Sequence, residues 1–208
     1  MARSSTERVL ATYIALGAAS RPEVARKTGL SLPTVGEVTA LLMEHGVLVP
    51  VCEVPSKGGR PALLFGIQAG RFTVAAADLD DSGTLTCALG DLDGRVLAIE
   101  RFRSDVRSPD DVFGQLLTWA RTQEERTSEP LCLVIGAPGI VDPARKSIRV
   151  AVHLKWRDVD VGKAVGSLRY PVHVISRATL YAVAEARRLT EAAPKTAIYL
   201  WIGSAIGG

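Results

Sequence analysis

Through the first third of the chain apolar residues recur at helical spacing, and near Val47 the spacing becomes strand-like. Val9, Leu10, Tyr13, Ile14 and Leu16 hold one face of a first helix. Ser20 precedes Arg21-Pro22-Glu23, and a serine cap with proline and an acid in the first turn marks a second helix, with Val24 and Ala25 inward and Gly29 ending it. Leu30 and Ser31 turn the chain. Ser31 caps a third helix, buried along Val35, Val38, Leu41 and Leu42 as far as Gly46. Two short helices joined by a glycine-bearing turn predict a helix-turn-helix. The runs 47–54 and 62–67 flank Pro55-Ser-Lys-Gly-Gly-Arg-Pro61, which predicts a hairpin with a basic glycine loop, the wing of a winged helix. Residues 1–68 are thus expected to form a winged helix-turn-helix domain.

From 69 to 208 the pattern changes to that of an α/β domain. Phe72 to Ala77, Thr84 to Leu89 and Arg95 to Ile99 predict a meander, with Asp91-Leu-Asp-Gly94 as its tight turn. Ser108-Pro-Asp-Asp111 caps a helix that turns Val112, Phe113, Leu116, Leu117 and Ala120 inward. A buried strand, Leu131 to Ile135, then ends in Gly136-Ala-Pro-Gly139. Val172 to Ile175, a helix over 177–188 and a strand over 196–202 repeat the alternation. Trp119, Trp156 and Trp201 are expected in the core, with Trp156, in a loop over 152–158, also placed to border a pocket.

Composition narrows the function classes. The chain has 208 residues, and 47% hydrophobic content supports buried cores, which excludes collagen-like and wholly disordered readings. Lys and Arg number 25 against 22 Asp and Glu, so the net charge of +3 is no nucleic-acid coat and any basic face must be local. Cys52, Cys87 and Cys132 are widely spaced without a C-x-x-C, which points to neither a zinc site nor a disulfide framework and fits a reducing cytoplasm. The N-terminal residues lack the apolar core of a signal peptide, and no run approaches the roughly 18 to 20 apolar residues that span a bilayer. The expectation is a soluble cytoplasmic protein with no membrane partner.

The third helix of a winged helix enters the major groove, where Ser31, Thr34 and Glu37 would meet base edges or phosphates. From Ser31 to His45 there is no Lys or Arg, whereas Glu37 and Glu44 are acidic. The phosphate attraction must therefore come from Arg21, Arg26, Lys27, Lys57 and Arg60, and residues 1–68 hold seven basic against five acidic side chains. Arg60, on a glycine loop, suits a minor groove. The candidate DNA-contact set is Arg21, Ser31, Pro33, Thr34, Gly36, Glu37, Lys57, Gly59, Arg60 and Pro61.

In the second domain the backbone amides of 136–139 and 203–208 could cradle an anion, although no G-x-x-x-x-G-K-[ST] pattern exists and a P-loop enzyme is excluded. Arg177 heads the helix over 177–188, and an always-protonated guanidinium is no general base. His45 suits a helix end, and His153 and His173 lack ligand partners, so no metal site is expected.

Several segments resemble the ROK family of repressors and sugar kinases, and its transcriptional regulators in particular. They are Val24-Ala-Arg-Lys-Thr-Gly-Leu-Ser-Leu-Pro-Thr-Val35, Gly59-Arg-Pro61, Gly90-Asp-Leu-Asp-Gly-Arg-Val96, Gly136-Ala-Pro-Gly-Ile-Val-Asp142, Trp156-Arg-Asp-Val-Asp160 and Ile202-Gly-Ser-Ala-Ile-Gly-Gly208. The resemblance implies an α/β fold with an N-terminal winged helix-turn-helix and an actin-like, ribonuclease H-like ROK lobe. It also implies a homodimeric or higher-order repressor of carbohydrate-related genes that binds double-stranded operator DNA and answers to a sugar effector, and the cations Arg177 and His153 at that site leave a sugar phosphate as an alternative effector. By the same resemblance Gly136, Pro138, Gly139, His153, Ser176 and Arg177 fall at a degenerate effector site.

Departures from the family pattern are specific. The phosphate-admitting glycine is replaced within Asp78-Leu-Asp-Asp-Ser-Gly83, where added negative charge should repel phosphate. His153-Leu-Lys-Trp156 stands at the sugar-binding Asn-Leu-Gly-Trp pattern, and Ser176-Arg177 at the Asn-Asp pair that carries the kinase base. These changes predict a non-enzyme that uses no cofactor. A sugar kinase or sugar-binding protein of the same family, or a degenerate interaction module, are the alternatives. The family's second lobe, with its Glu-x-Gly-His contacts and zinc motif, has no counterpart in the sequence, so the ROK lobe is expected to be incomplete.

Overall fold

A computed structural model describes residues 4–55, 61–80, 82–105, 107–126, 131–188, 198–202 and 206–207. The chain divides into two compact units, Met1–Phe72 with Asp91–Arg95, and Thr73–Gly90 with Val96–Gly208.

In the first unit α1 (Ser5–Leu16) starts in a capping box: the Glu7 amide donates to Ser4 Oγ and the Ser4 amide to Glu7 Oε2, both at 3.2 Å. After β1 (Ala18–Ser20) comes α2 (Arg21–Thr28), whose cap is the Ser20 hydroxyl accepting from the Glu23 amide at 3.4 Å. Gly29 ends α2 at φ 69°, a left-handed cap that glycine adopts freely, and its amide donates to the Ala25 carbonyl. Then follow α3 (Leu32–Glu44), β2 (Leu48–Val54) and β3 (Ala62–Ile67). Val9, Tyr13, Ala19, Val24, Val35, Val38, Leu42, Leu48 and Phe65 form the core. Inside it the Tyr13 hydroxyl lies 3.1 Å from Thr39 Oγ1, and burial raises the Tyr13 pKa against the opposing pull of that bond and of Arg21.

Ile14, expected on the inward face of α1, is 38% exposed, and two further features differ from the sequence expectation. The hairpin has a third strand, because β1 pairs antiparallel with β3 through Ala19 and Phe65, giving the order β1-β3-β2. Three small residues between two helices leave no alternation to detect. Leu41 is 44% exposed, since it lies a helical step past the stripe of Val38 and Leu42.

The second unit runs β4 (Thr73–Leu79), β5 (Thr84–Asp91), β6 (Val96–Arg103), α4 (Pro109–Arg126), β7 (Leu133–Ala137), β8 (Ile140–Asp142), β9 (Ser147–Ala151), β10 (Trp156–Asp160), α5 (Val161–Ala164), β11 (Val172–Ser176) and α6 (Arg177–Arg188). A two-residue ladder joins β12 (Trp201–Ile202) to β13 (Ile206–Gly207). The main sheet has the order β11-β7-β4-β5-β6, with β7 parallel to both β4 and β11 and with β6 antiparallel to β5. Burial alternates with period two along β4 and β5, whereas the edge strand β6 is exposed along nearly its whole length. Ala75, Ala77, Leu79, Leu85, Cys87, Leu89, Leu133, Ile135, Val172 and Val174 are buried in one cluster with Val112, Phe113, Leu116, Trp119 and Ala120 of α4.

A second antiparallel sheet, β10-β9-β8, was not expected, and its last strand begins inside the loop expected over 152–158. Its strands are three to five residues long, too short for periodicity to register. Trp156 opens a strand rather than lying in a loop, and it is in the core as expected: it is 3% exposed and its ring centroid lies 5.8 Å from that of Phe113. The expected strand from Leu131 begins at Leu133, with Leu131 itself 45% exposed. Of the strand expected over 196–202 only Trp201 and Ile202 are extended ladder, 198–200 are irregular, and 196 and 197 lie outside the described residues. No helix among the described residues is long and apolar enough to cross a membrane. Nor do those residues include a group of three His, Cys, Asp or Glu that could hold a metal ion.

Candidate functional site

Two places collect the predicted site residues. The first is the turn between α2 and α3. Thr28 fixes it: its hydroxyl donates to the Val24 carbonyl at 2.7 Å and accepts from the Leu30 amide at 3.3 Å. The Arg8 guanidinium donates to the Thr28 carbonyl at the end of α2. Ser31 caps α3, accepting from the Thr34 amide at 3.2 Å and lying 2.8 Å from the Thr34 hydroxyl. The outward face of α3 carries Leu32, Pro33, Glu37, Ala40, Leu41 and Glu44, with Thr34 and Gly36 half-buried. A Cβ built on Gly36 meets nothing within 4 Å.

The described candidate cations lie on α2, the preceding helix, and not on α3. Lys27 is exposed, and Arg26 pairs loosely with Glu23 at 3.9 Å. Arg21 is half-buried with its guanidinium carbon 4.8 Å from the Phe65 ring centroid, a stacking within its own unit that sequence spacing could not reveal. Lys57, Gly59 and Arg60 lie outside the described residues, and Pro61 is exposed just before β3.

The second place is the C-terminal edge of the parallel strands. In register, Asp78 of β4 stands beside Gly136 of β7, which stands beside Ile175 of β11, and Ser176 follows beside Ala137. Arg177 opens α6 there. Its Nε lies 2.9 Å from Asp78 Oδ1, its guanidinium donates to the Tyr181 hydroxyl at 3.2 Å, and that hydroxyl donates to Asp78 Oδ2 at 3.0 Å. The Arg177 side chain is 12% exposed and that of Asp78 37%. Gly136 makes room for the group, since a Cβ there would come within 3.2 Å of Asp78 Oδ1 and of Leu180 Cδ1. Burial chiefly raises the Tyr181 pKa; Asp78 adds to the rise while Arg177 opposes it.

The carboxylates expected to repel phosphate are engaged within the protein. Asp78 is matched by Arg177. Asp80 folds back on its own turn, its Oδ1 accepting from the Ser82 amide at 2.8 Å, the Ser82 hydroxyl at 2.7 Å and the Thr84 amide at 2.8 Å. Burial pushes the Asp80 pKa up, but those bonds and the field of Arg177 outweigh it and hold the carboxyl below its usual value. Residue 81 lies outside the described residues.

The remaining predicted positions do not all converge. Pro138 is buried in the bend after β7. Gly139 has φ 80°, and a Cβ on it would collide with the Val150 carbonyl, so this glycine serves the approach of β8 to β9. His153 is exposed on the turn over 152–155 and shares no hydrogen bond or ion pair with the Arg177 group among the described residues. Tyr181 escaped the sequence analysis; its position four residues after Arg177, one helical turn on, was the available signal. A groove of 530 Å³ between β6 and α4, lined by Glu100, Phe102, Asp111 and Trp119, contains none of the predicted residues.

The ROK family model matches residues 81–208. The DNA-binding transcriptional dual regulator NagC of Escherichia coli K12 is 26% identical over 143 residues, which is 67% of this chain and 35% of NagC. The N-acetylglucosamine repressor of Escherichia coli O6:H1 matches to the same extent. Among solved structures, a ROK family transcriptional regulator described as a homologue of the E. coli MLC protein superposes with a TM-score of 0.70 at 22% identity. That likeness covers 89% of this chain and 48% of the other. The chain thus spans about a third of the length of these curated relatives and about half of the solved one.

Proposed function

The chain belongs to the ROK family, and on that premise we propose that it is a sequence-specific DNA-binding transcriptional regulator, a cytoplasmic repressor of carbohydrate-related genes that holds operator DNA as a homodimer. One observation carries the reading: α2 and α3 are joined by the capped turn Gly29 to Ser31 and followed by the β2–β3 hairpin, with the first turn of α3 open on its outer side. We read it as a winged helix, in which the second helix of the pair enters the major groove. The names of the two curated relatives, a DNA-binding regulator and a repressor, support it.

The second unit supports an effector domain without catalysis. A phosphoryl transfer onto a sugar needs a base beside the attacking hydroxyl. The residue that heads α6 is Arg177, already held by Asp78 at 2.9 Å, and a guanidinium takes no proton. Asp78, Arg177 and Tyr181 instead offer acceptors and donors suited to sugar hydroxyls. Among the described residues Asp78 and Asp80 together outweigh the guanidinium of Arg177, which favours a neutral sugar over a phosphorylated one.

The deciding experiment is binding of the purified chain to the DNA upstream of its own gene and to a scrambled duplex across a range of salt concentrations. The reading expects a preference of about a thousandfold or more for the true fragment at physiological salt. Equal and steeply salt-sensitive binding to both duplexes overturns it.

A further inference from the structure

We infer that Glu37 sets the base preference of this regulator, by accepting a hydrogen bond from the exocyclic amino group of a cytosine in the major groove. The inference rests on the DNA-binding reading above and names what its helix would read.

Elimination on α3 leads to this residue. The hydroxyls of Ser31 and Thr34 are 2.8 Å apart and tied into the helix cap. Thr39 is buried, donating to the Val35 carbonyl at 2.7 Å and lying against the Tyr13 hydroxyl. His45 Nδ1 is 2.9 Å from the Leu41 carbonyl oxygen. The polar groups left on the outward face are the carboxylates of Glu37 and Glu44, and Glu44 is the last residue of the helix, away from the first turns that meet base edges. Glu37 has no hydrogen bond or ion pair among the described residues.

Gly36, beside it, gives a second observation. A glycine inside a helix costs about 1 kcal/mol relative to alanine. Nothing among the described residues requires it, because a Cβ there meets none of their atoms within 4 Å. A surface outside the chain that approaches the backbone closely accounts for the missing side chain, and would bring Glu37 to base-edge depth.

The chemistry then selects the base. An ionised carboxylate only accepts hydrogen bonds. Guanine and thymine present acceptors in the major groove, adenine presents a donor flanked by the N7 acceptor, and cytosine presents its amino group alone. With no Lys or Arg from Ser31 to His45 to neutralise it, the carboxylate is penalised wherever an acceptor faces it. Glu37 thus trades affinity for discrimination.

The test is selection from a random duplex library by the full chain and by Glu37→Gln, with thermal melts confirming that both fold. Glutamine keeps the size and adds a donor, which suits adenine. The native chain should enrich a motif with one constant C·G pair per half-site, and changing that pair to T·A should weaken binding about tenfold or more. Glu37→Gln should lose that preference, shift toward adenine and bind random DNA more tightly. An identical motif from both proteins overturns the inference while leaving the regulator standing. No enrichment by the native chain removes the regulator reading, and the role of Glu37 with it.

Discussion

Asp78 and Arg177 meet at 2.9 Å where the end of β4 faces the start of α6, so the arginine that opens this helix is held by the aspartate near the end of that strand. The pair is the more consequential for being unequal in exposure, with Arg177 nearly covered and Asp78 reaching solvent. Removing the carboxylate takes the opposite charge from a covered guanidinium, whereas removing both charges leaves neither member of the ion pair unmatched by the other.

Asp78→Asn is therefore expected to destabilise the second unit by about 1 to 3 kcal/mol, less than for a fully buried pair because Asp78 is partly hydrated. The double variant Asp78→Asn with Arg177→Met should lose less than the sum of the single changes. Urea denaturation of the four proteins in this cycle checks it. Strict additivity would show that the two groups do not depend on each other.

The same pair marks how far the sequence was readable. That residue 177 is arginine, and no base, was evident from the residue itself. That Asp78 would neutralise it was not, because the contact depends on β4 and β11 flanking β7, a long-range pairing that local pattern does not encode. The helices were readable because Ser20, Gly29 and Ser31 punctuate them with specific cap chemistry. β8, β9 and β10 were not, since their runs are cut by turns such as 152–155 before any alternation accumulates. Likewise the seating of Arg21 over Phe65 joins α2 to β3 through the fold alone.

Gly36→Ala should separate stability from function in the first unit. The added methyl meets no neighbour and the backbone is already helical, so the variant should be more stable by about 0.5 to 1 kcal/mol. Its affinity for operator DNA should nevertheless fall. Melting temperature and DNA titration on the same preparation check both halves, and unchanged affinity would show that the helix keeps its distance from the duplex.

The three thiols should react in order of burial. Cys52 is exposed, Cys132 is half-buried with its pKa raised by burial, and Cys87 is buried with its pKa pushed up to about 12, first by burial and then by the charge of Glu100. The folded value of Cys87 lies above that of an unfolded thiol, about 8.5. Its contribution to stability is therefore complete below about pH 8.5 and is lost as the pH rises toward 12. At pH 8 an aromatic disulfide reagent should modify Cys52 at once, Cys132 slowly and Cys87 only after unfolding. Rapid reaction of all three in the folded protein would contradict this packing.

Gly136 and Gly139 look alike in sequence, both candidates for cradling an anion, but their surroundings demand glycine for different reasons. Gly139 has φ 80°, where a side chain is strained, and its Cβ would strike the Val150 carbonyl, a backbone atom that cannot move alone. Gly139→Ala should cost about 3 kcal/mol, at the upper end of ordinary single substitutions, by forcing β8 from β9. At Gly136 the nearest atoms are the ends of side chains, Asp78 Oδ1 and Leu180 Cδ1 at 3.2 Å, which can give way. Gly136→Ala should cost about 1 kcal/mol while pushing the Asp78 carboxylate off Arg177, so its effect should appear in effector binding more than in stability. Urea melts combined with thermal shifts on a panel of sugars distinguish the two. Equal losses of stability, or a native-like Gly139→Ala protein, would mean that the bend over 136–139 does not join β7 to β8 in this way.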